Sequence, residues 1–236
     1  MEDQQTTSSF STYLQTYWTY YLSLEGRLSK TENYCAFSQK NSTVFSIEYI
    51  TLLLAVYGEI DSLAKAIRMY LFSETELTKC QINKWGYYLN EAFPDLKDHV
   101  LESKNGYQFR PFGGWRLTTK QNKKGQQIYL NTGNSKNPTW WTAYNKVKHS
   151  RTSIDSSRGL VNYENANQIN VIESMGALFM LNRLMMEELN EDAYQTIDRS
   201  RLFKLCDSMD ETGTSIHYGS SSFPLQSIRE APHARI

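Results

Sequence analysis

Hydrophobic positions along most of the chain recur at the spacing of an α-helix. The strongest pattern covers residues 45–72, where apolar side chains follow one stripe at every third or fourth position. Similar spacing predicts helices over residues 10–29, 75–89 and 165–189. Residues 139–149 also have helical spacing and follow Pro138, which suits the first turn of a helix. The pattern therefore predicts a protein built mainly from helices, with 45–72 as a central core helix.

The pattern changes between these helical segments, over residues 101–130. The stretches "YQFRPF", "GWRLTT" and "QQIYL" are short, alternating and aromatic, which is typical of β-strands. They are separated by Asn105-Gly106, Gly113-Gly114 and Lys124-Gly125, residue pairs that favour tight turns. We therefore expect a small β-hairpin inserted between helices.

These elements predict a mainly α-helical domain over residues 1–190, with the β insertion at about 101–131. After residue 190 the hydrophobic pattern weakens. We expect residues 191–236 to contain a short helix over 194–206 and a flexible C-terminal tail. Gly58, in the middle of the strongest helix, is unfavourable there, so a packing reason is expected for it.

Composition supports a folded protein and argues against several other classes. The chain has 236 residues, of which 40% are hydrophobic and 13% aromatic, enough for a sizeable core. The polar beginning does not resemble a signal peptide, and no apolar run is long enough to span a membrane. The three cysteines lie far apart and form no CxxC pair. We therefore expect a cytoplasmic protein with reduced thiols, no metal and no cofactor.

Charge is balanced overall but unevenly distributed. The net charge is zero, yet no Asp or Glu occurs between Ser103 and Ile154. The cations of this span are Lys104, Arg110, Arg116, Lys120, Lys123, Lys124, Lys136, Lys146, Lys148 and Arg151. Such a block is typical of proteins that bind phosphate-rich partners such as RNA. A solvent-exposed hairpin that is rich in lysine explains it equally well.

The segment "NPTWWTAYNKVKHSR" carries the candidate chemistry. On a helix, Asn145 and His149 lie one turn apart on one face. The ordinary pKa of histidine suits acid–base catalysis, so His149 is a candidate catalytic residue with Asn145 beside it. Lys146, Lys148 and Arg151 are candidates for phosphate binding. Alternatively, a histidine at this position compensates the dipole at the end of the helix.

Acidic residues of the central helix are the second group of candidates. Glu59 or Asp61 could hold His149 in place if buried, because a buried carboxylate needs a cationic or hydrogen-bonding partner. Alternatively, Asp61 forms an ion-pair ladder with Lys65 and Arg68 on a solvated helix face.

Three segments together resemble a known family. They are "FSIEYITLLLAVYGEIDSLAKAI", "NPTWWTAYNKVKHSR" and "YENANQINVIESMGALFML", and in order and spacing they resemble HEPN-type helical domains. The resemblance implies a bundle of four to five helices that forms a homodimer. In active members of that family, an arginine, a polar residue and a histidine form a metal-independent endoribonuclease site at the dimer interface. The histidine and polar residue correspond to His149 and Asn145, whereas Tyr144 stands at the position of the arginine.

Three hypotheses for function follow. The first is an endoribonuclease of a toxin or phage-defence system, which would also have an antitoxin or another defence component as partner. The second is a catalytically degenerate dimer module that binds RNA, a nucleotide or a protein partner, in which Tyr144 replaces the charge-stabilising arginine. The third is a purely structural helical dimer.

Overall fold

Five α-helices form the larger part of the computed structural model, which describes residues 10–72, 81–155, 159–189 and 199–206 and the backbone of 208–209 and 215–216. The π-helical segment Leu14–Trp18 continues directly into helix α1. The helices are α1 (Thr19–Thr31), α2 (Ile47–Phe72), α3 (Ile82–Ala92), α4 (Thr139–His149) and α5 (Gln168–Leu189). Short 3₁₀ turns occur at Gln39–Asn41 and Asn162–Asn165.

The strands are short and form several antiparallel sheets. They are β1 (Val100–Ser103), β2 (Gln108–Phe109), β3 (Leu117–Gln121), β4 (Gln127–Asn131), β5 (Ile154–Asp155), β6 (Leu160–Val161), β7 (Phe203–Cys206), β8 (Ser208–Met209) and β9 (Ser215–Ile216). One sheet has the strand order β2-β1-β7, and the pairs β3-β4, β5-β6 and β8-β9 form two-stranded sheets.

Helices α2 and α5 pack against each other and make the centre of the core. The predicted stripe of α2 is confirmed, since Tyr49, Leu53, Val56 and Ile60 are all buried. The helix begins after Ser46, whose Oγ accepts a hydrogen bond from the N–H of Tyr49 at 3.1 Å, the geometry of an N-cap. Helix α5 is more enclosed than α2, because almost every one of its side chains is buried. The most buried helix is therefore α5.

The β3-β4 hairpin packs on α3 through a contact between a tryptophan and a glycine. A Cβ atom placed on Gly86 would lie 2.1 Å from Cη2 of Trp115, so the indole fits only because residue 86 has no side chain. Trp115 is fully buried there and packs edge-on against Trp85. By contrast, open space surrounds the Cβ position of Gly58, and the packing reason expected for that glycine is absent.

The prediction of a helical bundle with one inserted β-hairpin is wrong. The β3-β4 hairpin exists, but β1 pairs on one side with β2 and on the other with β7, in a register that joins Ser103 to Phe203. This sheet belongs to the core, since a Cβ atom on Gly176 of α5 would lie 2.5 Å from the Phe109 ring. The fold is therefore mainly α, with several small antiparallel sheets, of which β2-β1-β7 packs in the core.

The C-terminal part of the chain also differs from expectation where it is described. Residues 203–206 form strand β7 at the end of the segment predicted as a short helix, because the backbone pairs with β1 and the side chains of Phe203 and Cys206 are buried. The strand is held by Glu25, a buried residue of α1. Its carboxylate accepts hydrogen bonds from the N–H groups of Arg201 at 3.1 Å and Leu202 at 3.3 Å. Residues 190–198 and 217–236, including most of the predicted tail, lie outside the described residues.

Within the part of the chain that the structure describes, no helix combines the length and the apolar composition needed to cross a membrane.

Candidate functional site

A cleft of about 380 Å³ opens between helices α2, α3 and α4 and is called here the three-helix cleft. Residues from three parts of the chain line it: Tyr57 and Asp61 from α2; Gln81, Ile82 and Asn83 from the start of α3; and Asn137, Trp141, Tyr144, Asn145, Lys148 and His149 from α4 and the residues before it. Its volume falls within the range of pockets that hold small organic ligands.

Helix α4 presents one face to the cleft and another to the core, and the predicted pair Asn145 and His149 lies on the first of these faces. The helix starts after Pro138, whose carbonyl oxygen accepts the N–H of Thr142 at 3.1 Å. Ala143 and Val147 are buried, and the buried Trp140 donates its indole N–H to the carbonyl oxygen of Pro111 at 2.8 Å. These contacts fix the helix, so the residues on its other face have defined positions in the cleft.

Aromatic residues form the wall between α2 and α4. The rings of Tyr57 and Tyr144 are stacked, with centroids 3.5 Å apart and planes 15° from parallel. Trp141 donates its indole N–H to the Tyr57 hydroxyl at 3.3 Å. Burial raises the pKa of Tyr57 to about 12, and the nearby Asp61 carboxylate and Tyr144 add to this, while the hydrogen bond from Trp141 opposes it. Tyr57 is therefore neutral at physiological pH, and its ring is held by the stack with Tyr144 and by the hydrogen bond from Trp141.

A cation lies against Tyr144, the residue that the resemblance noted in the sequence would align with an arginine. The Lys148 ammonium donates to the Tyr144 hydroxyl at 2.6 Å and lies 5.1 Å from the centre of its ring. Both residues line the cleft, whereas Arg151 does not. A positive charge is thus present at this end of the cleft, supplied by Lys148 one turn further along the helix.

The other predicted residues of the cleft are Asn145, His149 and Asp61. His149 is exposed at the end of α4, and Asn145 donates its side-chain N–H to the carbonyl oxygen of Trp141 at 3.2 Å. Asp61 lines the same cleft, but its carboxylate is paired with Lys65. No hydrogen bond joins Asp61 to His149 in the described structure, and the roles assigned to these residues stay predictions.

Three predicted residues lie outside the cleft. Glu59 is half-buried elsewhere on α2, and burial raises the pKa of its carboxyl group. Lys146 forms an ion pair with the buried carboxylate of Asp155. The Nε–H of Arg151 donates to the carbonyl oxygen of Val147 at 3.2 Å. The structure therefore gives Lys146 and Arg151 contacts within the protein, and their predicted phosphate binding is untested.

The ten cations between Ser103 and Ile154 have different surroundings. Lys104 pairs with Glu32 and Lys146 pairs with Asp155, so these two charges are balanced within the fold. Lys120, Lys123 and Lys124 are exposed on and beside the turn of the β3-β4 hairpin, which packs on α3. Only Lys148 among the ten lines the three-helix cleft.

Asn83 and Asn137 are residues of the cleft that sequence reasoning does not identify. Asn83 donates its Nδ2–H to the carbonyl oxygen of Tyr129 at 3.2 Å, which ties α3 to strand β4. Asn137 accepts hydrogen bonds at Oδ1 from the indole of Trp115 at 3.2 Å and from Asn131 at 3.1 Å. The position of Asn137 directly before Pro138 is a weak local signal for it. Asn83 has none, because packing of the hairpin on α3 brings it there.

The N-terminus of α3 also faces the cleft. Gln81 precedes the helix in an extended conformation, and its side chain makes no capping hydrogen bond to the first turn. That turn contains no acidic residue, so the positive end of the helix dipole is not neutralised by its own residues. Uncapped N–H groups of this kind bind anions such as phosphate.

No group of three or more histidine, cysteine, aspartate or glutamate residues could hold a metal ion in the part of the chain that the structure describes.

Comparison with known proteins identifies no relative. No protein-family model, no curated protein and no solved structure matches this chain.

Proposed function

We propose that the protein binds single-stranded RNA, and that the three-helix cleft holds one of its nucleotides. The observation that carries the proposal is the convergence of aromatic residues, carboxamides and a lysine in one cleft of about 380 Å³. Single-stranded RNA is bound through its bases, which stack on aromatic side chains, and its phosphates, which contact cations and backbone N–H groups.

The phosphate would lie between Lys148 and the N-terminus of α3. Both line the cleft, and both offer hydrogen-bond donors with positive character. Lys148 is already oriented by Tyr144, so its ammonium needs little reorganisation to bind a phosphate oxygen. This arrangement supports a nucleotide in preference to an uncharged ligand.

The β3-β4 hairpin would guide the flanking nucleotides. Its lysines 120, 123 and 124 are exposed and make no ion pair within the described residues. The hairpin that carries these charges packs on α3, and the start of α3 lines the cleft. Exposed lysines of this kind contribute affinity without base preference.

The test measures the affinity of fluorescently labelled 12-nucleotide RNAs by anisotropy over a range of salt concentrations. Lys148→Ala is expected to weaken binding about tenfold, since a charge-assisted hydrogen bond contributes roughly 1.5 kcal/mol. The substitution should also reduce the slope of log affinity against log salt concentration by about 1. Lys40→Ala is the matched control, because Lys40 is an exposed lysine outside the cleft. Equal effects of the two substitutions would contradict the proposed position of the phosphate.

Metal-independent RNA cleavage is the second candidate function. It is favoured by the exposure of His149 at the edge of the cleft, with Asn145 one turn before it. His149 would move a proton to or from the ribose 2′-hydroxyl or the leaving oxygen. Wild type and His149→Ala are compared on total RNA in EDTA, and loss of cleavage in the variant supports this function. If the wild type binds RNA but does not cleave it, the cleavage function is excluded and the proposed RNA binding still stands.

The homodimer implied by the family resemblance also stays a proposal. Sedimentation of the free protein and of the protein with RNA measures it directly. A monomer under both conditions would contradict it.

A further inference from the structure

A second cleft, of about 640 Å³, lies between helix α1 and the residues that lead into strand β7. It is called here the arginine cleft, because Arg199 and Arg201 line it on the side of β7. Among the described residues it has no lining residue in common with the three-helix cleft. Its volume is that of a pocket for a small molecule.

Three cations line the arginine cleft. Lys30 comes from the last turn of α1 and faces the same cavity as Arg199 and Arg201. All three residues are exposed, and none of them forms an ion pair within the described residues. Their positive charges are therefore accessible to a ligand that enters the cleft. Charges of one sign that line a cavity attract ligands of the opposite sign.

Glu25, the acidic residue among the described lining residues, is already used by the protein itself. Its carboxylate is buried and accepts the backbone N–H groups of Arg201 at 3.1 Å and Leu202 at 3.3 Å. The Tyr21 hydroxyl donates to the same carboxylate at 2.7 Å. These bonds tie the backbone that carries Arg201 to α1, so this side of the cleft is formed before any ligand binds.

Gly26 gives the cleft room on the side of α1. No atom lies within 4 Å of the position that a Cβ on this residue would occupy. Glycine inside a helix is unfavourable, and the described structure contains no close contact that requires it at this position. Because Gly26 lines the cleft one turn before Lys30, a ligand can approach the backbone of the helix closely beside that lysine.

From this arrangement we infer that the arginine cleft binds a small molecule that carries a diphosphate group. A guanidinium group binds phosphate oxygens through its forked N–H donors, and lysine binds them as a point charge. Two adjacent phosphates match the two arginines, while Lys30 supplies the third positive charge from α1. Ser29 and Asn33 line the same cleft and have side chains that can donate hydrogen bonds to the ligand. The inference goes beyond the proposed RNA binding and does not rest on it.

Isothermal titration calorimetry of the full chain with inorganic pyrophosphate, at physiological salt, tests the inference. The wild type is expected to bind pyrophosphate at least about ten times more tightly than inorganic phosphate, because a second charged group adds at least one charge-assisted hydrogen bond. Arg199→Ala and Arg201→Ala should each weaken pyrophosphate binding about tenfold. Lys40→Ala, which removes an exposed cation outside the cleft, should leave it unchanged.

Three outcomes would overturn the inference. They are a wild type that does not bind pyrophosphate, equal affinities for pyrophosphate and phosphate, and arginine variants that weaken binding no more than Lys40→Ala does. If the wild type fails to bind pyrophosphate and the arginine variants weaken binding of the labelled 12-nucleotide RNAs, the cleft serves the RNA backbone instead. The proposed RNA binding would then stand without the diphosphate site.

Gly26→Leu tests the position of the ligand in a variant that should fold well. Leucine is a better helix former than glycine, so the melting temperature should stay the same or rise. The new side chain would occupy space beside Lys30, and pyrophosphate binding should weaken at least about fivefold, as for the loss of one hydrogen bond. Gly58→Leu is the matched control, since Gly58 lies inside α2 with open space around it and does not line this cleft. Unchanged affinity in folded Gly26→Leu would overturn the inferred site.

Discussion

Substitution of Gly86 by alanine tests how the hairpin is docked beside the cleft. The new Cβ would lie 2.1 Å from Cη2 and 2.4 Å from Cζ2 of Trp115, far inside ordinary van der Waals contact. The indole cannot move freely, because it is fully buried, packs on Trp85 and Phe112, and donates to Asn137. Overpacking of this kind costs about 3 kcal/mol, the upper part of its usual range. Alanine recovers about 1 kcal/mol of helix propensity, so the net loss of unfolding free energy is about 2 kcal/mol.

The assay is urea denaturation followed by tryptophan fluorescence and by circular dichroism. Gly58→Ala is the matched control, since it lies inside α2 with open space around the Cβ position, and it should stabilise by about 0.5–1 kcal/mol. A double-mutant cycle with Trp115→Leu isolates the clash, because Gly86→Ala should cost little once the indole is absent. If Gly86→Ala lowers the unfolding free energy by the same amount in the wild type and in Trp115→Leu, the indole of Trp115 is not the reason for glycine at position 86, and the reasoning is refuted.

Three further predictions concern stability. The pKa of Tyr57 is raised from its ordinary value of 10.0 to about 12, so this residue keeps its proton in the folded protein at a pH where the unfolded chain has lost it. Its contribution to the unfolding free energy is therefore complete below pH 10 and is lost between pH 10 and 12. The unfolding free energy of Tyr57→Phe should therefore fall less steeply over that window in urea titrations. Glu25→Gln should lower the unfolding free energy by about 2 kcal/mol, because buried donors that include the Tyr21 hydroxyl at 2.7 Å lose a charged acceptor. A decrease below about 0.5 kcal/mol would contradict this. Ser46→Ala should lower stability by about 1 kcal/mol through loss of the N-cap, measured in the same way with Ser46→Asp as the variant that retains capping.

The parts of the fold that follow from local pattern were predictable from the sequence. The stripe of α2 and the shared face of Asn145 and His149 depend only on helical spacing, and both lie as predicted. The turn of the β3-β4 hairpin was predictable from Lys124-Gly125, since Gly125 adopts a φ of 73°, which favours glycine.

Strand β7 could not be predicted in the same way. Its four residues, "FKLC", carry too short a pattern to distinguish strand from helix, and its pairing joins Phe203 to Ser103. The error in fold class has this cause: the pattern indicated a single hairpin, whereas a distant strand completes a sheet in the core. Long-range pairing of this kind leaves no local signal.

In the candidate site, too, residues placed by helical spacing were predictable, whereas residues placed by long-range packing were not. Asn145 and His149 were predicted because a spacing of four places them on one helical face, and Lys148 was predicted as a cation near them. Asn83 and Asn137 were missed because their orientation depends on the hairpin behind them, through Tyr129 and Trp115. Glu59 was included as an acidic residue of the central helix that would need a partner if buried, but it lies two positions from Asp61, and two positions along a helix point in different directions.

Ultraviolet cross-linking of RNA to the wild-type protein, with mass spectrometry of the adducts, tests the central proposal most directly. The proposed function predicts adducts on Trp141 or on its cleft neighbours Tyr57 and Tyr144, and their loss when unlabelled RNA competes. Adducts confined to the β3-β4 hairpin, or adducts that persist unchanged in competition, would contradict binding of RNA in the three-helix cleft.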